Sequence, residues 1–205
     1  MVISGATGEF GRVDEYVRPR WGDRRWPRCP CGHELAIGGV TGSWSHALGL
    51  PTMVCLACQT AGTGRGSWVE IDVTRQYTPE TAPGSGLALV RHRPASPAGA
   101  GRVELVLATT VVGHVELALC RIERRANLRA LEVEPAHRRR GYGTVLAAAA
   151  KTLAPDYDWS VPAFVEDPVA RSFWAAAGVP GPAPLAPCSH IRDALGLPSE
   201  AWTGT

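Results

Sequence analysis

The sequence has no long apolar run and no marked excess of one charge, and both absences restrict what the protein does. The segment 103–119 is broken by Glu104, His114 and Glu116, whereas a membrane helix needs about 20 apolar residues. The net charge is only +2, so the overall composition requires neither a nucleic acid nor a membrane as partner. The N-terminus lacks a basic segment followed by an apolar one, so we expect a cytoplasmic protein with no membrane partner.

The length and composition predict a small module joined to one domain of ordinary size. The chain has 205 residues, of which 45% are hydrophobic and 20% charged, which is enough to form a hydrophobic core. Clusters of Pro, Gly, Ser and Thr mark the expected boundaries. We predict a module at 1–78, a linker at 79–85, a second domain at 86–180 and a Pro-rich tail at 181–205.

Cysteine is scarce, yet four of the six cysteines form two close pairs. One residue separates Cys29 from Cys31, two residues separate Cys55 from Cys58, and 23 residues lie between the two pairs. Cytoplasmic thiols stay reduced or bind metals, and such paired cysteines are typical of a zinc ribbon. We predict a structural zinc site formed by Cys29, Cys31, Cys55 and Cys58, with His33 as an alternative ligand to Cys29.

The N-terminal part of this module combines basic and aromatic residues, and we expect residues 1–28 to be irregular. The set comprises Arg18, Arg20, Trp21, Arg24, Arg25, Trp26 and Arg28. Such a pattern can bind nucleic acid through phosphate contacts and base stacking. It can equally cover the edge of a small module, because Arg and Trp bury apolar surface while keeping a polar tip in water. We favour packing, since small zinc modules have little core of their own.

The second domain has the pattern of a mixed α/β fold. The predicted strands span 86–92, 103–109, 114–122, 128–134 and 159–165, and the predicted helices span 143–153 and 169–177. A helix is also expected near 190–195, and 94–101 is expected to be flexible. Cys120 is interpreted as a small core residue.

The segment between the strand 128–134 and the helix 143–153 has the composition of an anion-binding loop. Pro135 ends the strand because it cannot donate to a sheet. Gly141 and Gly143 let a bulky anion approach the backbone amides, and the helix that follows directs its unpaired N–H groups toward that anion. The arginines at 138–140 add donors that match phosphate oxygens.

Two motifs in this domain resemble those of the GNAT superfamily of N-acetyltransferases. The first is Val133-x-Pro135 followed by Arg138-x-x-Gly141-x-Gly143, which is similar to the family's acetyl-CoA signature. The second is the run from Asp167 to Val179, in which Asp, Ala, Phe, Trp and Gly are spaced as in the family's downstream signature. The resemblance covers roughly residues 86 to 180.

The resemblance implies a GNAT-like mixed sheet with two flanking helices, splayed between its fourth and fifth strands with CoA in the gap. The fold would be shortened at both ends, because 94–101 leaves no room for the usual two helices and the tail lacks the usual final strands. The residues implied to bind acetyl-CoA are Val133, Arg138, Arg139, Arg140, Gly141, Tyr142, Gly143, Thr144, Asp167, Ala170 and Phe173. Among these, the Val133 amide would contact the acetyl end, and 138–144 the pyrophosphate.

The residues that would act as general acid and base in acetyl transfer differ from the usual family pattern. Trp174 stands where many family members have a Tyr acid, and an indole N–H is too weak an acid to replace it. We predict Glu132 as the catalytic residue, with Glu134 and His137 as alternatives.

The function predicted from the resemblance is an acetyl-CoA-dependent N-acetyltransferase that modifies an amine acceptor. The alternative is a non-catalytic, CoA-sensing or scaffold domain whose zinc ribbon binds nucleic acid or protein.

Overall fold

The chain folds into two β-sheets with short helices around them. The computed structural model describes residues 15–62, 66–160, 168–177 and 187–197. The strands are β1 (Tyr16–Arg20), β2 (Val40–Ser45), β3 (Leu50–Cys55), β4 (Ser67–Asp72), β5 (Leu87–His92), β6 (Ala98–Leu107), β7 (Thr110–Cys120), β8 (Arg125–Val133) and β9 (Asp158–Ser160). The helices are α1 (Leu35–Gly38), α2 (Leu56–Thr60), α3 (Tyr142–Leu153), α4 (Pro168–Ala176) and α5 (Ser189–Leu195).

The first sheet has the order β1-β4-β3-β2. Strands β2, β3 and β4 are antiparallel neighbours, while β1 runs parallel to β4 with Tyr16 opposite Trp68. The prediction that residues 1–28 are irregular is therefore wrong for 16–20. The segment contains two arginines and a proline, and only the distant partner strand shows that Val17, which is fully buried, belongs to a sheet.

The second sheet has the order β5-β6-β7-β8-β9, antiparallel except for the parallel pair β8 and β9. This mixed α/β architecture confirms the predicted fold class. The expectation of a flexible segment at 94–101 is wrong for its last four residues, because β6 begins at Ala98. Residues 98–101 are all Ala or Gly, and their backbone pairs with 117–120 of β7.

Helix α3 fixes the position of the loop that precedes it by packing on the second sheet. Its alanine-rich face is buried against β6, β7 and β8, with Val145 and Leu146 fully enclosed. In the part of the chain that the structure describes, no helix is long and apolar enough to cross a membrane.

The two sheets share one hydrophobic core. Val17 and Val69 of the first sheet belong to the same buried cluster as Val145 of α3. Gln76 Nε2 donates to the Ala149 carbonyl of α3 at 2.8 Å, and residue 77 then bonds along the edge of β5. The first sheet is thus attached along α3 instead of being tethered by a linker alone.

Asp72 holds the end of β1 in place. Its Oδ1 accepts hydrogen bonds from the Thr74 amide at 2.9 Å and from the Gly22 amide at 3.3 Å, and Arg20 lies 3.7 Å from Oδ2. Burial opposes ionisation of this carboxyl, but the hydrogen bonds from Thr74 and Gly22 and the charge of Arg20 outweigh it, so the pKa of Asp72 is lowered. The ionised side chain therefore fastens the chain beyond β1 to the end of β4.

Candidate functional site

The end of β8 directs one backbone amide away from its antiparallel partner. The Glu134 amide donates to the Val112 carbonyl on the β7 side, at 3.0 Å. Successive amides of a strand point to opposite edges, so the Val133 amide faces the other edge of β8. On that edge, the described residues of β9 pair only with 125–127. The Val133 amide, which the family resemblance implies as a donor to the acetyl end, therefore points away from β7.

Helix α3 begins without a side-chain cap. Gly141 is its N-cap residue, with φ of 84°, and the first turn contains no acidic residue. A glycine has no side chain to accept hydrogen bonds from the amides of Gly143 and Thr144, and the positive end of the helix dipole lies at this point. The start of α3 therefore has the electrostatics of an anion site.

The two glycines of the loop serve different contacts. A Cβ added to Gly141 would lie 1.9 Å from the Val17 carbonyl oxygen of β1, so this glycine is needed for the close approach of the first sheet. A Cβ added to Gly143 would lie 3.2 Å from the Phe173 ring and 3.6 Å from Leu131. Only Gly143 therefore faces the side on which α4 approaches the loop.

The three arginines of the loop also differ in their surroundings. Arg138 Nε donates to the Val133 carbonyl at 2.9 Å, which folds the loop back on the end of β8. Arg139 is exposed and has a left-handed backbone with φ of 64°. The carbonyl of Arg140 accepts a 2.8 Å hydrogen bond from the Val17 amide. Arg139 therefore presents its charge on an exposed side chain.

Helix α4 carries two of the predicted residues, of which Phe173 lies beside the loop at Gly143. Ala170 and Phe173 are three residues apart and so lie on one helical face, and both are partly buried. Phe173 contacts Trp174 edge to face, with 4.8 Å between ring centroids, and Trp174 packs on the main core. The predicted residue Asp167 lies outside the described residues.

The predicted catalytic residue, Glu132, lies on the polar face of the second sheet. It is exposed and pairs in register with His114, while Glu116 pairs with Ala130. Residues at alternate positions share a face, so Glu132, His114 and Glu116 project to the same side. The register of β7 and β8 shifts just beyond Glu116, and Arg129 lies at this irregularity.

A groove of about 230 Å³ crosses this polar face. Four strands contribute to its lining, with His92, Ala100, Gly101, Arg102, Glu116, Leu117 and Arg129. Glu116 and Arg129 line this groove but were not among the site residues predicted from the sequence. Alternation along β7 indicated that Glu116 faces outward, but only the strand order shows that it joins a groove.

Of the alternative catalytic residues, Glu134 is exposed directly after β8, in the turn that leads to the loop. The ring of His137 stacks on Tyr142, with 6.0 Å between centroids. Tyr142 has only 2% of its surface exposed. Its ring therefore packs in the core and does not face a ligand.

Three cysteines and one histidine of the first sheet come together at one point. His33 Nδ1 lies 3.1 Å from Cys58 Sγ, 3.6 Å from Cys29 Sγ and 3.9 Å from Cys55 Sγ, and the two sulfurs of Cys29 and Cys58 are 3.7 Å apart. Tetrahedral zinc with bonds of about 2.0–2.3 Å would separate its ligand atoms by about 3.5–3.8 Å. The four measured distances lie within about 0.4 Å of this range, and all four ligand atoms lie within 4.8 Å of one another, so the group could hold a tetrahedral metal.

The predicted ligand Cys31 lies outside this group, and His33 takes its place. The turn at Gly32 bonds back to the Cys29 carbonyl at 2.9 Å, and the His33 amide lies 3.3 Å from Cys29 Sγ. This turn directs Cys29 and His33 inward and leaves Cys31 exposed. Burial opposes ionisation of Cys29, but the amides of His33 and Cys31 and the side chains of Cys58 and His33 lower its pKa to about 7.

Part of the basic and aromatic set is packed inside the first sheet. The guanidinium of Arg18 lies 4.1 Å from the Trp26 ring centroid and donates to the Arg28 carbonyl at 2.8 Å. Burial lowers the pKa of Arg18, and the nearby Glu70 opposes this shift. Packing thus accounts for Arg18 and Trp26, whereas Trp21 remains 40% exposed.

Comparison with known proteins gives one clear match. Residues 72–178 match the family model described as the acetyltransferase (GNAT) family. No curated protein sequence shows a significant match. A solved structure, described as a tandem GNAT protein from the clavulanic acid biosynthesis pathway without AcCoA, is 31% identical over 42% of this chain and 29% of its own chain, with a TM-score of 0.34. The present chain therefore matches less than a third of the length of that protein.

Proposed function

The chain belongs to the GNAT acetyltransferase family, and from that premise we propose that it transfers an acetyl group from acetyl-CoA to an amine acceptor. The observation that supports this proposal most strongly is the loop 133–144. This short segment contains three features that suit an anion. They are the Val133 amide, which points away from β7, the uncapped start of α3 and the exposed charge of Arg139. Backbone amides and arginine are the groups that bind a pyrophosphate, so the residues present fit the cofactor.

Each part of this segment has a separate role in the proposal. The Val133 amide donates to the thioester carbonyl and so stabilises the negative charge that develops on its oxygen. The amides of Gly143 and Thr144, with Arg139, hold the pyrophosphate. Phe173 lies against Gly143 and forms the wall of the channel on the α4 side.

The acceptor amine is proposed to approach from the polar face of the second sheet. In the transfer, the amine nitrogen forms a bond to the acetyl carbon, the carbon–sulfur bond breaks, and a proton passes from nitrogen to the departing sulfur. Glu132, adjacent to Val133, is assigned as the base that removes the amine proton. Glu116, about 7 Å from Glu132 across the strand pair, attracts the ammonium form into the groove.

The four ligand atoms of Cys29, His33, Cys55 and Cys58 are proposed to bind one zinc ion. Four protein ligands leave no open position for substrate, so the zinc would stabilise the fold instead of taking part in the chemistry.

We expect Arg139→Asn to weaken acetyl-CoA binding about tenfold, the loss typical of one charge-assisted hydrogen bond. Asn tolerates the left-handed backbone at this position, so the substitution removes the charge alone. Arg124→Asn is the matched control, because Arg124 is also exposed and left-handed, with φ of 52°, but precedes β8 at the other end of the sheet. Titration calorimetry with acetyl-CoA measures both. No heat with the unmodified chain would refute the proposed function.

We expect Glu132→Gln to lower kcat about 100-fold with any amine that the unmodified chain acetylates, because a positioned general base contributes at least that factor. Its affinity for acetyl-CoA should not change. Glu80→Gln, an exposed change far from the loop, is the control. Thiol release from acetyl-CoA across a panel of amines gives the rates. Binding of acetyl-CoA without turnover on any amine would instead support the non-catalytic, CoA-sensing alternative.

A further inference from the structure

We propose that Cys120, Cys188 and His190 form a second metal site, of the zinc class, that fastens helix α5 to the second sheet. One ligand atom from each residue lies within 4.8 Å of the other two. Both cysteines are buried, with 0% and 5% of their surface exposed. Two thiolates and an imidazole are the ligands that zinc prefers among the abundant divalent ions.

The ligands come from parts of the chain that are far apart in sequence. Cys120 is the last residue of β7, whereas Cys188 directly precedes α5 and His190 lies in its first turn. Although Cys188 and His190 are two positions apart, their ligand atoms and that of Cys120 all lie within 4.8 Å of one another. A metal bound here would join the C-terminal segment to the centre of the fold.

Among the described residues, the apolar contacts of helix α5 are few. It has seven residues, which is too short for a helix to be stable alone in water. Its buried contacts form a small cluster in which Ile191 and Leu195 meet the alanines at 98 and 118. Burial of so few apolar groups stabilises the contact weakly, so a metal tether would supply what packing does not.

Glu123 supports the ligands from outside the cluster. Its Oε1 lies 3.2 Å from His190 Nδ1, and its amide donates to Cys120 Sγ at 3.4 Å. A carboxylate on one ring nitrogen orients metal-binding histidines and raises their basicity, and an N–H donor stabilises a thiolate. Arg125 lies 3.4 Å from the other oxygen of Glu123 and fixes its orientation.

The position of the cluster separates it from acyl transfer. Cys120 lies seven residues along β7 from Gly113, which pairs with Val133. This spacing corresponds to about 23 Å along a strand. The second metal is therefore proposed to tether α5 apart from acyl transfer, with three protein ligands, and its presence does not depend on the proposed function.

Metal analysis of the whole chain, purified with reductant and supplied with zinc, tests the proposal. We expect two zinc ions per chain, falling to one in Cys188→Ser and in His190→Gln. Ser189→Ala, an exposed change between the two ligands, should keep both ions. Circular dichroism checks that each variant is folded, and His190→Gln keeps the test usable if Cys188→Ser does not fold.

The outcomes also separate this site from the cluster of the first sheet. Loss of one ion in Cys55→Ser and of the other in Cys188→Ser would support two independent sites. A single ion lost only in Cys188→Ser would support this proposal and refute the first zinc site. A single ion that neither Cys188→Ser nor His190→Gln removes would overturn the proposal, as would a Cys120–Cys188 disulfide in the reduced preparation.

Discussion

Replacing Gly141 with alanine is expected to lower the free energy of unfolding by about 3 kcal/mol or more, the range of severe backbone and packing changes. The new Cβ would lie 1.9 Å from the Val17 carbonyl oxygen, so β1 or the loop must move. A residue other than glycine is also strained at φ of 84°. Urea unfolding monitored by circular dichroism measures the loss.

Gly143→Ala is the matched control, because it makes the same chemical change two residues away. Its Cβ would meet side chains alone, the edge of the Phe173 ring at 3.2 Å and Leu131 at 3.6 Å, and alanine favours the helix by up to about 1 kcal/mol. We expect its stability to stay within about 1 kcal/mol of the unmodified chain. Equal losses in the two variants would show that the close contact with β1 does not explain Gly141.

Removing zinc from the cluster of Cys29, His33, Cys55 and Cys58 is expected to unfold the first sheet. Zinc binding contributes on the order of 10 kcal/mol to the folding of small modules, and Trp68, which is fully buried, packs directly against the cluster. Chelation, or the substitution Cys58→Ser, should therefore shift tryptophan emission to longer wavelength as Trp68 becomes exposed to water. Circular dichroism should show the accompanying loss of strand.

Cys31→Ser provides the control for this experiment, since Cys31 is exposed and lies outside the group. It should keep its zinc and its fluorescence. If Cys31→Ser lost zinc while Cys58→Ser kept it, the ligand set read from the structure would be wrong. If chelation left the emission unchanged, the metal would not support the first sheet.

Features set by neighbouring residues could be predicted from the sequence. The alternation along β7, the proline after β8 and the alanine-rich run of α3 each depend on contacts within a few residues. The loop 133–144 could be predicted for the same reason, because strand end, glycines and helix start follow one another in order.

Features set by distant partners could not be predicted. The sequence offered His33 in place of Cys29, whereas the structure keeps Cys29 in the group and leaves Cys31 out. This outcome depends on how one short turn folds against Cys55 and Cys58. The strand β1 is recognisable only beside β4, and the strand at 98–101 only beside β7. Cys120 and His190 are 70 positions apart, so no local pattern joins them.

The hydrogen bond between the Val17 amide and the Arg140 carbonyl has a consequence for ligand binding. It joins the first sheet to the loop that is proposed to hold the pyrophosphate. If zinc orders β1 and β1 orders the loop, zinc and acetyl-CoA become thermodynamically linked ligands. Each must then raise the affinity of the chain for the other by the same factor, so the proposed acetyl-CoA binding would be tighter in the zinc-bound chain.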